Sequence, residues 1–145
     1  MTTPEKHASD SSEQRSAEGE ILDALSAQWG VEFEGRPAIG FRVDLDGFVD
    51  GEQPICVEVW AHQGKAKGGQ PGKVMKDFCK LLLVEKMLER PCRKVFAVCD
   101  EQAIAFLENS WQGRFADEFG IERIVVSVSE ATRQRVRGAQ SRQVR

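Results

Sequence analysis

The chain has 145 residues, 41% of them hydrophobic, which suits one domain around one core. Its 20 Lys and Arg against 23 Asp and Glu leave a net charge of -3, so no global basic field draws it to nucleic acid and any such binding has to come from a local patch. Four cysteines without a CxxC pair and only two histidines, His7 and His62, argue against zinc, and no apolar run approaches the roughly 20 residues of a membrane span.

Residues 1–15 hold no large apolar side chain beyond Met1, cannot offset their ordering entropy by burial, and read as a disordered tail. The domain is expected over residues 16–130. It opens with a helix, SAEGEILDALSAQWG, whose Ile21, Leu22, Leu25 and Trp29 share one face and whose stop is Gly30. Glu18 and Glu20 lie in its first turn, where acids complement the helix dipole.

Strands are expected near 31–34, 41–49 and 55–62, with Asp50-Gly51 as the turn between the last two and Pro54 outside the ladder. One face carries Phe41, Val43, Leu45, Ile55, Val57 and Val59. The other carries Asp44, Asp46, Phe48, Cys56, Glu58, Trp60 and His62. Acids on a partly apolar face are unusual, because a buried charge is costly unless it is paired or bound to a metal. A five-residue connection over 50–54 sets Asp46 opposite Glu58, whereas a three-residue one sets Asp44 there.

The basic, glycine-rich segment GKAKGGQPGK lacks P-loop spacing, but its Lys65, Lys67 and Lys73 are suited to gripping a phosphodiester backbone. The helix KVMKDFCKLLLVEKMLER follows, ended by Pro91, with Val74, Phe78, Leu81, Leu82 and Leu88 apolar and Lys73, Lys76 and Lys80 in a row at i, i+3, i+7. KVFAVCD and IERIVVSVS read as buried strands of a parallel or mixed sheet. Asp100 is placed to cap the helix EQAIAFLENS, and WQGRFADEFG adds a further helical turn or two. Residues 131–145 form a basic tail, with five arginines and no acid, fit for phosphate or an acidic partner. The cysteines (Cys56, Cys79, Cys92, Cys99) read as small core residues in a reducing compartment, and the expected location is the cytoplasm.

Helix, three strands, helix, strand, with an acid on the second strand and another on the third, resembles the PD-(D/E)XK nuclease superfamily over about residues 16–128. The resemblance rests on Asp46-Gly47 within VDLDGFV, on Glu58-Val59-Trp60 at the third-strand signature, and on Glu20 ahead of the first helix's apolar run. It implies an α/β fold with a restriction endonuclease-like αβββαβ core and a central mixed sheet flanked by helices. It further implies that Asp46, Glu58 and Glu20 hold Mg²⁺ or Mn²⁺, and that the protein hydrolyses phosphodiester bonds in nucleic acid, DNA foremost. The family's lysine position is filled by Trp60, which can neither orient water nor neutralise a phosphate. Lysines that migrate to the following loop or helix are a recurrent variation, so Lys65 and Lys73 are the catalytic candidates, with Lys65, Lys67, Lys73 and Lys76 as nucleic-acid contacts and His62 as a further alternative. Nucleases of this kind often act as dimers, so a homodimer or partner protein belongs to the expectation. The missing lysine keeps open a second reading: a nuclease-fold protein without catalysis that binds nucleic acid or a protein.

Overall fold

Strand β2 (Ile55–Trp60) decides the layering, because it is buried on both faces. Side chains alternate along a strand, so Val57 and Val59 point to one side while Cys56, Glu58 and Trp60 point to the other. In the computed structural model, which describes residues 2–62 and 70–143, each side is covered by helices. Val57 and Val59 meet α1 (Thr2–Trp29) through Ala17, Ile21 and Leu25, and Val136 of α5 (Glu130–Gln143) joins that cluster. Cys56 and Trp60 meet α2 (Gln70–Leu88) through Val74, Phe78, Leu81 and Val84, with α3 (Glu101–Glu108) and α4 (Trp111–Glu118) completing the layer.

The sheet is four-stranded and mixed, in the order β1-β2-β3-β4. Strand β1 (Gly47–Val49) pairs antiparallel with β2; β3 (Arg93–Val98) and β4 (Ile121–Val125) continue parallel. The expected α/β class and mixed sheet are therefore present. Asp100 caps α3 as expected, its carboxylate accepting the Gln102 N–H at 2.7 Å.

Three expectations need correction. The strand near 31–34 is reduced to a single bridge between Glu34 and Phe48. The strand expected over 41–49 keeps only 47–49: the alternation of Phe41 and Val43 extends a real pattern, but Phe41 is 45% exposed, and Pro37 and the positive φ of Gly40 break the ladder before it. Strand β4 is an edge strand, with Val125 44% exposed, rather than a buried one. Helix α1 also takes in residues 2–15, and α5 takes in most of the basic segment 131–145, where Thr132, Val136 and Ala139 are buried on the side that packs along α1. Among the described residues no helix is long and apolar enough to cross a membrane.

Candidate functional site

The hairpin register fixes the two acids. Gly47 lies opposite Val57 and Phe48 opposite Cys56, so the next position in line sets Asp46 against Glu58. This is the geometry of the five-residue connection. Asp44, the alternative, is held in an exposed loop by Arg36 at 2.8 Å and Arg42 at 3.0 Å. The backbone ladder ends at Gly47, and the Asp46 carboxylate takes over, accepting the Val59 N–H at 2.7 Å through Oδ2. Gly47 itself has a packing reason: a Cβ there would stand 2.9 Å from the Phe33 ring and 3.1 Å from Leu22.

Glu58 is only 1% exposed, on the face of β2 that α2 covers. The Lys80 ammonium on α2 stands 2.7 Å from its Oε1. That oxygen has its cation but no well-angled hydrogen bond. Burial, then a hydrogen bond to the Asp46 carboxyl and the charges of Asp46 and Asp77, push the Glu58 carboxyl up to about 9, against the pull of Lys80. Burial pulls the Lys80 ammonium down, but its close contact with and attraction to Glu58, with Asp77 and Asp46 behind, outweigh this and hold it above its ordinary value.

Asp77 is the third acid of the cluster. It is 7% exposed and lies on α2 three residues before Lys80. Burial raises its carboxyl to about 6; Lys80 opposes that rise and Asp46 adds to it. Among the described residues, the Lys80 amine therefore contacts Glu58, and the charges of Asp46 and Asp77 bear on both groups from nearby in the layer between β2 and α2. When all are ionised the cluster carries an excess of two negative charges, the charge of one divalent cation.

The expected residues sort clearly. Asp46 and Glu58 come together. Lys73 and Lys76 are exposed on α2, and the amine that pairs with Glu58 is Lys80, the third lysine of the same row. Lys65 and Lys67 lie outside the described residues. Trp60 is a core residue, 3% exposed, packed against Phe96 and Phe106 and stacked on His62 with ring centroids 5.2 Å apart. Glu20 is not in the site. Its Oε1 accepts the Ser129 N–H at 2.6 Å and its Oε2 the Thr132 hydroxyl at 2.7 Å, which ties α1 to the start of α5 and lowers its pKa. Helix α1 covers the Val57 and Val59 face, so the sheet separates Glu20 from Glu58.

A signal for the missed residues was present. Val74, Phe78, Leu81 and Val84 form a buried helical stripe, and Asp77 falls within it. An acid in such a stripe marks a buried charge partner.

The donor set fits a hard cation in one respect. Mg²⁺ keeps most of its waters and takes one or two carboxylates, and Asp46 with Glu58 supplies two, one with an oxygen lacking an aligned donor. No group of three or more His, Cys, Asp or Glu is drawn together as a complete metal shell among the described residues. No family model matches the chain, and no curated protein or solved structure matches it either.

Proposed function

We propose that the protein is a divalent-metal-dependent nuclease with a restriction endonuclease-like αβββαβ core, hydrolysing phosphodiester bonds in nucleic acid, with DNA as its substrate. The observation that carries this reading is the Lys80 ammonium 2.7 Å from buried Glu58, with the Asp46 carboxyl beside it. The pair of acids on one hairpin and the amine that Trp60 cannot provide are thereby in one place. The order α1, bridge at Glu34, β1, β2, α2, β3 supports the core assignment, with the first strand shrunk to that bridge.

Asp46 and Glu58 would hold Mg²⁺ or Mn²⁺, which when bound supplies Lewis acidity at a phosphate oxygen and a more acidic water. To hold a cation Glu58 would have to be ionised, and the cation would then take the place of its proton, released to solvent, as the partner of the two carboxylates. Lys80 Nζ then offers charge and N–H donors to a phosphoryl oxygen or the attacking water. Lys73 and Lys76, exposed earlier on α2, attract the polyanion's backbone.

One observation favours the second reading, a binding protein without catalysis. Glu58 is 1% exposed and already has a cation at 2.7 Å, so the cluster also works as a closed structural unit. Incubation with single-stranded, duplex and branched DNA and with RNA, in Mg²⁺ or Mn²⁺, separates the two. Metal-dependent cleavage that disappears in Glu58→Gln and in Lys80→Met is the expected result. Equal cleavage by wild type and Glu58→Gln would sink the nuclease reading, and salt-sensitive DNA binding without cleavage by any form would establish the second.

A further inference from the structure

Arg133 and Arg137 of helix α5 differ from the arginines of the sheet and the other helices. Arg36, Arg42, Arg90, Arg93, Arg114 and Arg123 each hold a carboxylate at 3.1 Å or less. Among the described residues no carboxylate pairs with Arg133 or Arg137, in a chain whose acids outnumber its Lys and Arg by 23 to 20. Glu130, the only acid in α5, instead accepts the Gln134 amide at 3.3 Å. The buried stripe Thr132, Val136 and Ala139 faces α1, and Arg135 donates to the Thr132 hydroxyl at 2.9 Å. Arg133 and Arg137, at i and i+4, share a different side of the helix, Arg133 half-buried and Arg137 exposed. Strands β2, β3 and β4 run parallel and end at one edge of the sheet, β2 two residues beyond Glu58. Helix α5 starts from that edge, shortly after β4, and α2 starts from it with Lys73 and Lys76 before running back to where β3 begins.

We propose that α5 is a nucleic-acid-gripping arm, in which Arg133 and Arg137 bind two neighbouring phosphates of one strand at the sheet edge nearest Asp46 and Glu58. The inference deepens the nuclease reading and rests on it for the class of ligand. Four helical residues advance about 6 Å along the axis, which matches the step between successive phosphates of a strand. The cations of residues 131–145 are all arginine, whose planar fork takes two phosphate oxygens at once where lysine supplies a point charge. Glu20 ties Ser129 and Thr132 to α1, so the two guanidinium groups stand on a helix already held to the domain and less ordering is left for binding. Contacts of this kind go to the backbone and carry no base preference. Lys73 and Lys76 on α2 lie on the other side of the sheet, so cations flank the edge from both sides.

Fluorescence anisotropy of a labelled DNA duplex, titrated with the full chain at several salt concentrations, tests this. The wild type should bind with strong salt dependence, and Arg133→Gln combined with Arg137→Gln should weaken Kd several-fold. The slope of log K against log salt should become shallower by about 1.8, two contacts at about 0.9 each. Both side chains lie off the buried stripe, so the double variant should fold as the wild type does, checked by circular dichroism. Arg114→Gln, which removes an arginine already paired with Glu118, should change neither Kd nor slope. Arg133→Lys with Arg137→Lys should keep the slope and lose part of the affinity. No binding by the wild type, an unchanged slope in the double Gln variant, or an equal loss in Arg114→Gln overturns the proposal. A wild type that captures polyglutamate in place of DNA overturns it too, since α5 would then be a site for an acidic protein. In cleavage assays the double Gln variant should raise KM for DNA with kcat unchanged. If binding follows the expected pattern and nothing is cleaved, the nuclease reading fails and the arm stands; if cleavage occurs and the two substitutions leave binding and KM alone, the arm fails and the nuclease reading stands.

Discussion

Helix α2 meets the sheet through two lysine–carboxyl contacts, and they differ in the surroundings of the acid. Toward its end, Glu85 on the helix meets Lys94 on β3, Nζ to Oε2 at 2.7 Å, and the same oxygen accepts the Cys92 N–H at 2.9 Å. Burial raises the Glu85 carboxyl, but Lys94 and that N–H outweigh it and hold the group below its usual value. About one and a half turns earlier the roles reverse: Lys80 on the helix meets Glu58 on β2, also at 2.7 Å. Here burial and two neighbouring acids win, and Glu58 stands at about 9. Distance is the same in both pairs, so distance does not explain the difference. Among the described residues, the first pair has one amine beside one acid, whereas in the second the charges of Asp46 and Asp77 add to that of Glu58. A pair that is closed on itself is structural.

The largest expected effect is on turnover. Lys80→Met should reduce metal-dependent cleavage about 100- to 1,000-fold, the scale of removing one transition-state charge partner, measured at saturating DNA and Mg²⁺. Lys94→Met should leave the rate per folded molecule within a factor of about two, since Lys94 pairs away from the site. Equal losses in the two variants would erase the distinction between the pairs.

The pairs should also respond oppositely to pH. A free Glu ionises near 4.5 and folded Glu58 near 9, so between those values the folded state holds the extra proton. Stability of the metal-free protein should therefore fall as pH rises through that window, by up to about 1.4 kcal/mol per pH unit. Asp77 adds to the fall between its unfolded value of 3.8 and about 6. Urea denaturation across pH 5–8 should show this slope, Glu58→Gln should flatten it, and Mg²⁺ at pH 8 should restore stability by binding the folded state. Glu85 has the reverse sign: its pKa is depressed, so its stabilisation is complete above the unfolded value and is lost as pH falls through the folded one.

Removing the strand lysine of the closed pair should cost about 2–3 kcal/mol. This is below the cost of opening a fully buried pair, because the Glu85 side chain is 28% exposed and water takes up part of the loss. Chemical denaturation of Lys94→Met measures it. Lys80→Met at pH 6 should cost about 1 kcal/mol, because Glu58 keeps its proton there and is left as a neutral acid needing only a hydrogen bond.

The acidic half of the site was legible in the sequence because it is local. Asp46 and Glu58 face each other through a hairpin whose turn, Asp50-Gly51, and whose ladder-breaking Pro54 are adjacent in the chain. The amine was harder, since loop and helix offered several lysines and only the helix phase against the sheet selects Lys80. Asp77 was readable as a break in an apolar stripe. The 41–45 segment misled because its alternation is strand-like while Gly35, Pro37 and Gly40 and the Arg36–Asp44 pair hold it in a loop. Glu20 misled for a topological reason. An amphipathic helix declares that it packs on a sheet without declaring which face.

That last point gives the smallest effect and a clean one. In the αβββαβ resemblance Glu20 is a metal ligand; in the fold it caps α5 through the Ser129 N–H and the Thr132 hydroxyl, on the face of the sheet away from Glu58. Glu20→Gln keeps the length of the side chain and one carbonyl oxygen, but loses the charge and the second acceptor. It should lower stability by about 1 kcal/mol, as charged acceptors at half-exposed sites do, and leave the Mg²⁺ concentration for half-maximal cleavage unchanged. A ligand would behave the other way, with near-normal stability and a several-fold higher Mg²⁺ requirement. Thr132→Val, which removes the hydroxyl donor and leaves the carboxylate, should reproduce the stability loss if the cap is the role of Glu20. A carboxylate can belong to the family pattern in sequence and to the fold's scaffolding in space, and here the hydrogen bonds assign it to the scaffolding.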